Sequence, residues 1–98
     1  MRVATVLVDA QNVRRSLWPN IAEDELEPLC ERWADANGHD VIVVWEEDES
    51  ADDQIARVVR ELEPPLWVVT SDRELRERVH GYADRILGGG AFARELVD

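Results

Sequence analysis

The sequence predicts an α/β fold, a small α/β/α sandwich with a central four-stranded parallel sheet. Four short apolar runs predict strands near 2–8, 41–45, 66–70 and 83–87. Segments with helical periodicity follow these runs, and strands that alternate with helices pair in parallel through right-handed crossovers. The first run is the longest and the most apolar, which places it centrally and predicts the strand order 2-1-3-4.

Length and composition restrict the class of protein. The 98 residues suffice for one hydrophobic core, so residues 1–98 are expected to form a single domain. Acidic residues number 22 against 11 basic ones, which gives a net charge of −11. The single cysteine, Cys30, excludes an internal disulfide, and no apolar run reaches the roughly 18 residues of a membrane span. We therefore expect a soluble, cytoplasmic protein whose oligomeric state stays open.

Helical periodicity identifies the helices between these strands. Leu26, Cys30 and Trp33 recur at the spacing of one helical face, and their neighbours on the other faces are mostly polar. The predicted helices cover 23–36, 51–62, 72–80 and a short segment after the glycines at 88–90. The segment at 16–20, SLWPN, is expected to be an irregular connector because proline and asparagine favour turns.

Carboxylates follow three of the predicted strands. Asp9 ends the first strand, an acidic segment follows the second strand, and Asp72 follows the third. Asn12 comes soon after Asp9 in the same exit segment. Because the carboxyl ends of parallel strands meet at one edge of the sheet, we expect these side chains to lie close together.

Helical spacing selects one acid from the segment after the second strand. Asp52 lies three residues before Ile55 and seven before Val59, so it shares the inward face of its helix. Asp52 is therefore expected at the edge of the sheet. Asp53 is expected to point outward, where it pairs with Arg57 four residues later.

The same spacing places Asp72 inward. Asp72 lies three residues before Leu75, which belongs to the apolar face of its helix. Ser71 and Glu74 have the S-x-x-E spacing of a capping box, so Ser71 is expected to cap the helix and Asp72 is not needed for that role. Asp72 is then free to act at the edge of the sheet.

Asp9, Asp52 and Asp72 would repel one another if they converged without a counter-ion, and each would raise the pKa of the others. A hard divalent cation removes this repulsion, and ligand sets made only of oxygen favour Mg²⁺ or Mn²⁺. The sequence therefore predicts a site for Mg²⁺ or Mn²⁺. The alternative is that Asp52 and Asp72 only complement the dipoles of the helices at whose starts they lie.

Three segments resemble a known family. VLVDAQNVRRSLWP, ESADDQIARVVREL and VVTSDRELRERV are similar to the NYN-type members of the PIN-like ribonuclease superfamily, above all to the YacP-like branch. The resemblance extends over nearly the whole chain. It implies a compact α/β/α sandwich, an acidic cluster that binds Mg²⁺ or Mn²⁺, and cleavage of RNA by metal-assisted hydrolysis.

The chain departs from the family pattern in two loops. Only EEDES remains between the second strand and the ADD motif, where the family usually has a longer stretch. Glu46 stands near a family acid at the end of strand two and is a candidate ligand in its place; Asp53 is a further candidate. Three glycines at 88–90 replace residues that are often polar in the family. The shortened loop bears on how the substrate is held more than on metal binding.

The first functional hypothesis is a metal-dependent RNA endonuclease. The three aspartates hold the metal, and Asn12 orients a water molecule or a phosphate oxygen. Arg14, Arg15 and Arg73 are candidate contacts to substrate phosphates, or else solvated surface charges. Because a net charge of −11 opposes the binding of a polyanion, RNA affinity is expected to be low unless a protein partner presents the substrate.

The second hypothesis is a non-catalytic binding or regulatory module on the same PIN-like scaffold, acting through a protein partner. The small size, the short loop and the acidic surface favour it. A phosphatase or phosphoacceptor domain also combines strand-end aspartates in a parallel sheet, but the D-x-x-N and TSD motifs fit it less well. Nothing in the sequence distinguishes RNA from DNA as the substrate. His39 and His80 receive no functional role.

Overall fold

A computed structural model of the chain describes residues 3–98. Four strands, β1 to β4, cover Thr5–Asp9, Asp40–Val44, Leu66–Val69 and Arg85–Leu87. Five helices, α1 to α5, cover Ala10–Arg14, Glu23–Asn37, Ala51–Val58, Arg73–Val79 and Gly89–Val97. Each predicted strand has a counterpart, although Arg2, the first residue of the predicted first strand, lies outside the described residues.

The four strands form one parallel sheet in the order β2-β1-β3-β4, which confirms the predicted fold class and strand order. β1 is central, since Val6 lies opposite Val41 of β2 and Trp67 of β3. The three middle residues of β1 are fully buried, as expected for a strand that is covered on both faces. The carboxyl ends of β1, β2 and β3 meet at one edge of the sheet, where β1 ends on Asp9.

Helices cover both faces of the sheet. On one face, α1, α2 and α5 pack against Val6, Val8 and Val69. On the other face, α3 and α4 pack against Leu7 and Val68. Successive residues of a strand point to opposite faces, so the apolar runs in β1 and β3 supply both cores at once. The three layers of the predicted sandwich follow from this alternation.

Helix α1 is absent from the sequence prediction. Ala10 and Val13 are buried in the core, and the backbone N–H of Arg15 donates to the carbonyl of Gln11 at 3.1 Å. A helix of five residues is too short for its apolar periodicity to be recognised. α1 turns the chain back over the sheet edge directly after Asp9, which brings the residues after β1 to that edge.

Helix α3 is shorter than predicted. It ends at Val58 instead of Leu62, and the N–H groups of Arg60 and Glu61 donate to carbonyl groups three residues back. These tighter turns lead into the prolines at 64–65, which cannot continue a helix. β2 begins and ends one residue earlier than predicted. Within residues 3–98, no helix has the length and apolar character needed to cross a membrane.

Cys30 and His39 are both buried inside the fold. Cys30 is fully buried, and burial raises the pKa of its thiol to about 12, so the thiol stays protonated at neutral pH. The ring of His39 packs between Trp33 and Trp67, with ring centroids 5.1 and 4.4 Å away. Both residues therefore belong to the packed interior and do not lie at the carboxyl edge of the sheet.

Gly38 ends α2 in the left-handed region, with φ of 76° and ψ of 27°. An L-residue in that region costs about 1–2 kcal/mol, so we expect Gly38→Ala to lower the free energy of unfolding by about that amount. Urea denaturation measures the change. Gly81→Ala is the control, because an added Cβ there meets nothing within 4 Å. Its effect is expected to stay below about 0.5 kcal/mol, and equal losses in both variants would contradict the assignment of strain to Gly38.

Candidate active site

A cavity of about 380 Å³ opens at the carboxyl edge of the sheet, and we call it the acidic cavity. Its walls come from the end of β1, from α1, from the loop after β2, from the start of α3 and from the segment after β3. The lining residues are Asp9, Gln11, Asn12, Arg15, Ser16, Glu46, Asp52 and Asp72. Four carboxylates and one guanidinium in so small a space make the cavity negative.

Asp9 is the last residue of β1 and is only 6% exposed. Its Oδ2 accepts a hydrogen bond of 2.9 Å from the hydroxyl of Thr70, the first residue after β3. Burial raises the pKa of Asp9 above its ordinary value of 3.8; the charges of Asp52 and Asp72 raise it further, while the bond from Thr70 lowers it. Asp9 therefore interacts electrostatically with both other aspartates.

Asp52 and Asp53, in the first turn of α3, point in different directions. Asp52 lines the acidic cavity, where burial and neighbouring carboxylates raise its pKa. Asp53 lies outside the cavity and accepts a hydrogen bond of 3.0 Å from Arg78 of α4. The predicted pair between Asp53 and Arg57 is wrong, because Arg57 binds Glu49 at 2.7 Å. The packing of α3 beside α4 brings Arg78 to Asp53, a contact that helical spacing alone does not predict.

Asp72 is the N-terminal cap of α4. Its Oδ1 accepts a hydrogen bond of 3.0 Å from the backbone N–H of Leu75. The prediction that Ser71 caps this helix is therefore wrong. The hydroxyl of Ser71 instead accepts a bond of 2.8 Å from the backbone N–H of Gly89. Asp72 still lines the acidic cavity, and its second carboxylate oxygen has no hydrogen-bond partner among residues 3–98.

Asn12 connects α1 to the segment after β3. Its Oδ1 accepts a hydrogen bond of 2.8 Å from the backbone N–H of Ser71, which in turn binds Gly89; we call this chain of contacts the Asn12 bridge. Because a backbone N–H can only donate, the amide oxygen must face Ser71. The NH₂ group of Asn12 is then the part of the side chain that remains to act on a ligand. It can donate to a water or phosphate oxygen, but it cannot coordinate a metal.

Glu46 belongs to the short acidic loop after β2. Gln54 of α3 fixes this loop, since its side-chain NH₂ donates to the carbonyls of Trp45 and Glu49, each at 2.9 Å. Within the loop, Glu46 lines the acidic cavity, whereas the acids at 47–48 do not. The short loop thus contributes one carboxylate to the cavity.

Comparison with known proteins shows the fold. No protein-family model matches the sequence, and no curated protein matches it. The structure is similar to the crystal structure of Rae1 (YacP) from Bacillus subtilis, in a mutant form, with a TM-score of 0.79. The match covers 99% of this chain and 76% of that chain, at 22% sequence identity. The chain has the YacP-like fold. This is the fold that the sequence motifs predict.

Within the YacP-like fold, the three predicted phosphate-binding arginines occupy different places. Arg15 is exposed and lines the acidic cavity. Arg14 does not line it: its side chain is 14% exposed, donates to the carbonyl of Ile21 at 2.8 Å and lies 3.7 Å from Glu23. Arg14 therefore holds the connector between α1 and α2 in place. Arg73 lines a separate groove on α4.

The acidic cavity of this YacP-like fold offers only oxygen ligands, the kind that Mg²⁺ and Mn²⁺ prefer. In the described part of the chain, however, no three carboxylate, histidine or cysteine side chains converge closely enough to hold a metal ion. The three aspartates line one cavity but do not form the shared ligand set that was expected. Asp9 and Asp72 each direct one oxygen to a hydrogen bond, with Thr70 and Leu75 respectively. The carboxylate oxygens are therefore the right type of ligand for a hard divalent cation, but in the described structure they lie too far apart to share one.

Two residues of the site, Thr70 and Gly89, do not stand out from the sequence patterns. Thr70 is fully buried; its hydroxyl donates to Asp9 and accepts a bond of 3.1 Å from the backbone N–H of Asp72. A hydroxyl between an apolar strand and a capping aspartate is the signal that could have identified it. Gly89 lies against Asn12 and Ser71, and a run of three glycines is a signal for such a close approach.

Proposed function

We propose that this protein is a metal-dependent ribonuclease that hydrolyses phosphodiester bonds within RNA. One observation supports this function above the others: Asp9, Glu46, Asp52 and Asp72 line one cavity at the carboxyl edge of a YacP-like fold. The pKa values of Asp9 and Asp52 are raised, first by burial and then by neighbouring carboxylates, so the cluster is electrostatically strained without a cation. Such a cluster is suited to binding a divalent ion.

In this proposal, Asp9, Asp52 and Asp72 hold Mg²⁺ or Mn²⁺, with Glu46 as a further oxygen ligand. A bound divalent ion supplies positive charge that polarises the scissile phosphate and lowers the pKa of a water molecule. The hydroxyl of Thr70 fixes the carboxylate of Asp9 by its hydrogen bond to Oδ2. Partners of this kind orient ligands before the metal arrives.

The remaining polar groups of the cavity act on the substrate. The NH₂ group of Asn12 donates a hydrogen bond to a phosphate or water oxygen, because its carbonyl oxygen is already bound to Ser71. Arg15 is the one guanidinium among the lining residues and offsets part of the negative charge that a phosphate meets on entry. With a net charge of −11, the protein depends on such local contacts, and we propose that a protein partner helps to present the RNA.

The alternative function is a non-catalytic binding module that acts through a protein partner. The open spacing of the carboxylates favours this alternative, because no three of them within residues 3–98 form a ready ligand set.

A cleavage assay separates the two functions. Single-stranded RNA is incubated with the protein in Mn²⁺, in Mg²⁺ and in EDTA, and DNA of the same sequence is run in parallel. We expect RNA fragments in the presence of metal and intact RNA in EDTA. Cleavage that persists in EDTA would contradict the metal-dependent mechanism. Intact RNA under all conditions would favour the non-catalytic module.

A further inference from the structure

A second groove lies beside the acidic cavity. It has a volume of about 660 Å³, and we call it the basic groove. Its lining residues are Ser71, Arg73, Arg76, Glu77, His80 and Ile86. Three consecutive residues separate the two spaces: Asp72 lines the acidic cavity, while Ser71 and Arg73 on either side of it line the basic groove. The two spaces therefore share one wall.

The arginines of the basic groove are unpaired. The guanidinium groups of Arg73 and Arg76 form no ion pair or hydrogen bond with any residue between 3 and 98, and both residues are exposed. Arg73 and Arg76 are three residues apart on α4, and His80 follows four residues later, so all three lie on one side of the helix. Glu77 is the one carboxylate that lines the groove. In a chain with 22 acidic residues, two adjacent unpaired guanidinium groups form an unusual surface.

A second arginine cluster among the described residues is neutralised. It lies between α3 and α4 and lines a cavity of about 330 Å³ together with Asp53. Arg78 pairs with Asp53 at 3.0 Å, and Arg57 pairs with Glu49 at 2.7 Å. Arg60 lies over the ring of Tyr82, 5.2 Å from its centroid. These arginines bind groups of the protein itself, whereas those of the basic groove face solvent.

We propose that the basic groove binds the phosphate backbone of RNA on one side of the cleavage site, an inference that rests on the proposed ribonuclease function. Guanidinium groups bind phosphate through paired N–H donors, so Arg73 and Arg76 each match one phosphate. Such contacts position a strand without reading its sequence. The groove therefore accepts single-stranded RNA of any sequence.

The negative charge of the acidic cavity explains why a separate RNA-binding surface is needed. Four carboxylates against the single guanidinium of Arg15 leave the cavity repulsive to a phosphate until a cation binds, so further attraction for the RNA has to come from outside the cavity. The basic groove supplies it one residue away from Asp72. An RNA strand held in the basic groove would cross the wall formed by residues 71–73 and place its next phosphate in the acidic cavity.

RNA binding without metal tests the groove. Fluorescence anisotropy of a labelled oligouridylate is measured in EDTA at several low salt concentrations, for the wild type, Arg73→Ala, Arg76→Ala and the double variant. We expect each substitution to weaken binding about ten-fold, as for a hydrogen bond to a charged group. The slope of log K against log salt should fall by about 0.7 for each lost phosphate contact.

Arg32→Ala is the matched control. Arg32 is exposed, has no ion pair with a described residue, and lies on α2, on the opposite face of the sheet from α4. Its removal changes the net charge as much as either groove substitution, but it should leave affinity and slope nearly unchanged. If the double variant binds RNA as the Arg32→Ala variant does, or if the wild type shows no RNA binding at low salt, the basic groove is not an RNA site. If the groove binds an acidic protein partner and not RNA, the double variant and Arg32→Ala should bind RNA equally well.

Cleavage in Mn²⁺ is measured separately with the same oligonucleotide. A wild type that binds RNA through the groove but never cleaves it would contradict the ribonuclease function and support the groove. A wild type that cleaves, with the same KM in the double variant, would contradict the groove alone. Thermal melts confirm that the exposed substitutions leave the fold intact.

Discussion

Asp9→Asn is expected to abolish metal-dependent cleavage of RNA and to leave the fold intact. Asparagine keeps the shape of the side chain and still accepts the hydrogen bond from Thr70, but it lacks the charge that holds a divalent ion. We expect a loss of at least about 100-fold in the cleavage rate, since even groups that only orient a ligand contribute 10–100-fold. Calorimetry with Mn²⁺ should show weaker binding, and equal heats for the two proteins would contradict a site at Asp9.

The stability of the same variant should depend on pH. Burial, with the neighbouring carboxylates, raises the pKa of Asp9 in the folded protein, so its ionised form lowers the free energy of unfolding at neutral pH. This penalty is complete above the raised pKa, decreases as the pH falls through it, and vanishes below the ordinary value of 3.8. Asp9→Asn removes the penalty. Its advantage in urea denaturation with EDTA is expected to be largest near pH 7 and to shrink toward about pH 4.

Thr70→Val is the structural counterpart of Asp9→Asn. Valine has nearly the shape of threonine, but it leaves Asp9 Oδ2 and the N–H of Asp72 without their bonds to the hydroxyl. We expect a loss of about 1–3 kcal/mol, the cost of unsatisfied buried polar groups. The two variants should therefore change stability in opposite directions. An Asp9→Asn variant that melts clearly below the wild type and still cleaves RNA would make Asp9 a scaffold residue.

Gly89→Ala is expected to disturb the fold and the site together. Gly89 is buried at the start of α5, and an added Cβ would overlap Oδ1 of Asn12 and lie 3.0 Å from the hydroxyl of Ser16. Contacts this short force Asn12 or α5 to move. Overpacking of this kind costs about 1–3 kcal/mol. Because a shift of about 1 Å in a positioned group can cost about 100-fold in rate, we expect a comparable fall in RNA cleavage.

Gly90→Ala is the matched control for Gly89→Ala. An added Cβ at Gly90 meets only the Cβ of Ser16, at 4.0 Å, which is an ordinary contact. Alanine is favoured over glycine in a helix by about 1 kcal/mol, so this variant should be as stable as the wild type or more stable. It should also cleave RNA normally. If Gly89→Ala cleaves as well as Gly90→Ala does, the Asn12 bridge is not needed for activity.

The features that follow from regular geometry could be predicted from the sequence. The central position of β1 follows from its apolar run, and the strand order follows from crossovers of one hand. The inward direction of Asp52 follows from its spacing to Ile55 and Val59, because a helix fixes which residues share a face. The common edge of Asp9 and Asp72 follows from parallel strands. Each of these depends on a periodic backbone and not on the choice of side-chain partners.

The features that the sequence did not predict depend on neighbours distant in the chain. Asp53 binds Arg78, 25 residues away, instead of the local Arg57. Ser71 and Asp72 both have side chains that can cap a helix. The hydroxyl of Ser71 is occupied by the N–H of Gly89, and Asp72 is the residue that caps α4. The spacing of the carboxylates was not predictable either, because hydrogen bonds to Asp9 and Asp72 decide where their oxygens point.

Two contacts that shape the acidic cavity connect residues far apart in the chain: Thr70 with Asp9 and Ser71 with Asn12, at separations of 61 and 59 residues. During translation, β1 and α1 leave the ribosome long before these partners exist. The N–H of Gly89 that binds Ser71 is made later still. A nascent chain therefore carries Asp9 and Asn12 without the bonds that position them, and the acidic cavity takes its shape only after the first residues of α5 have been added.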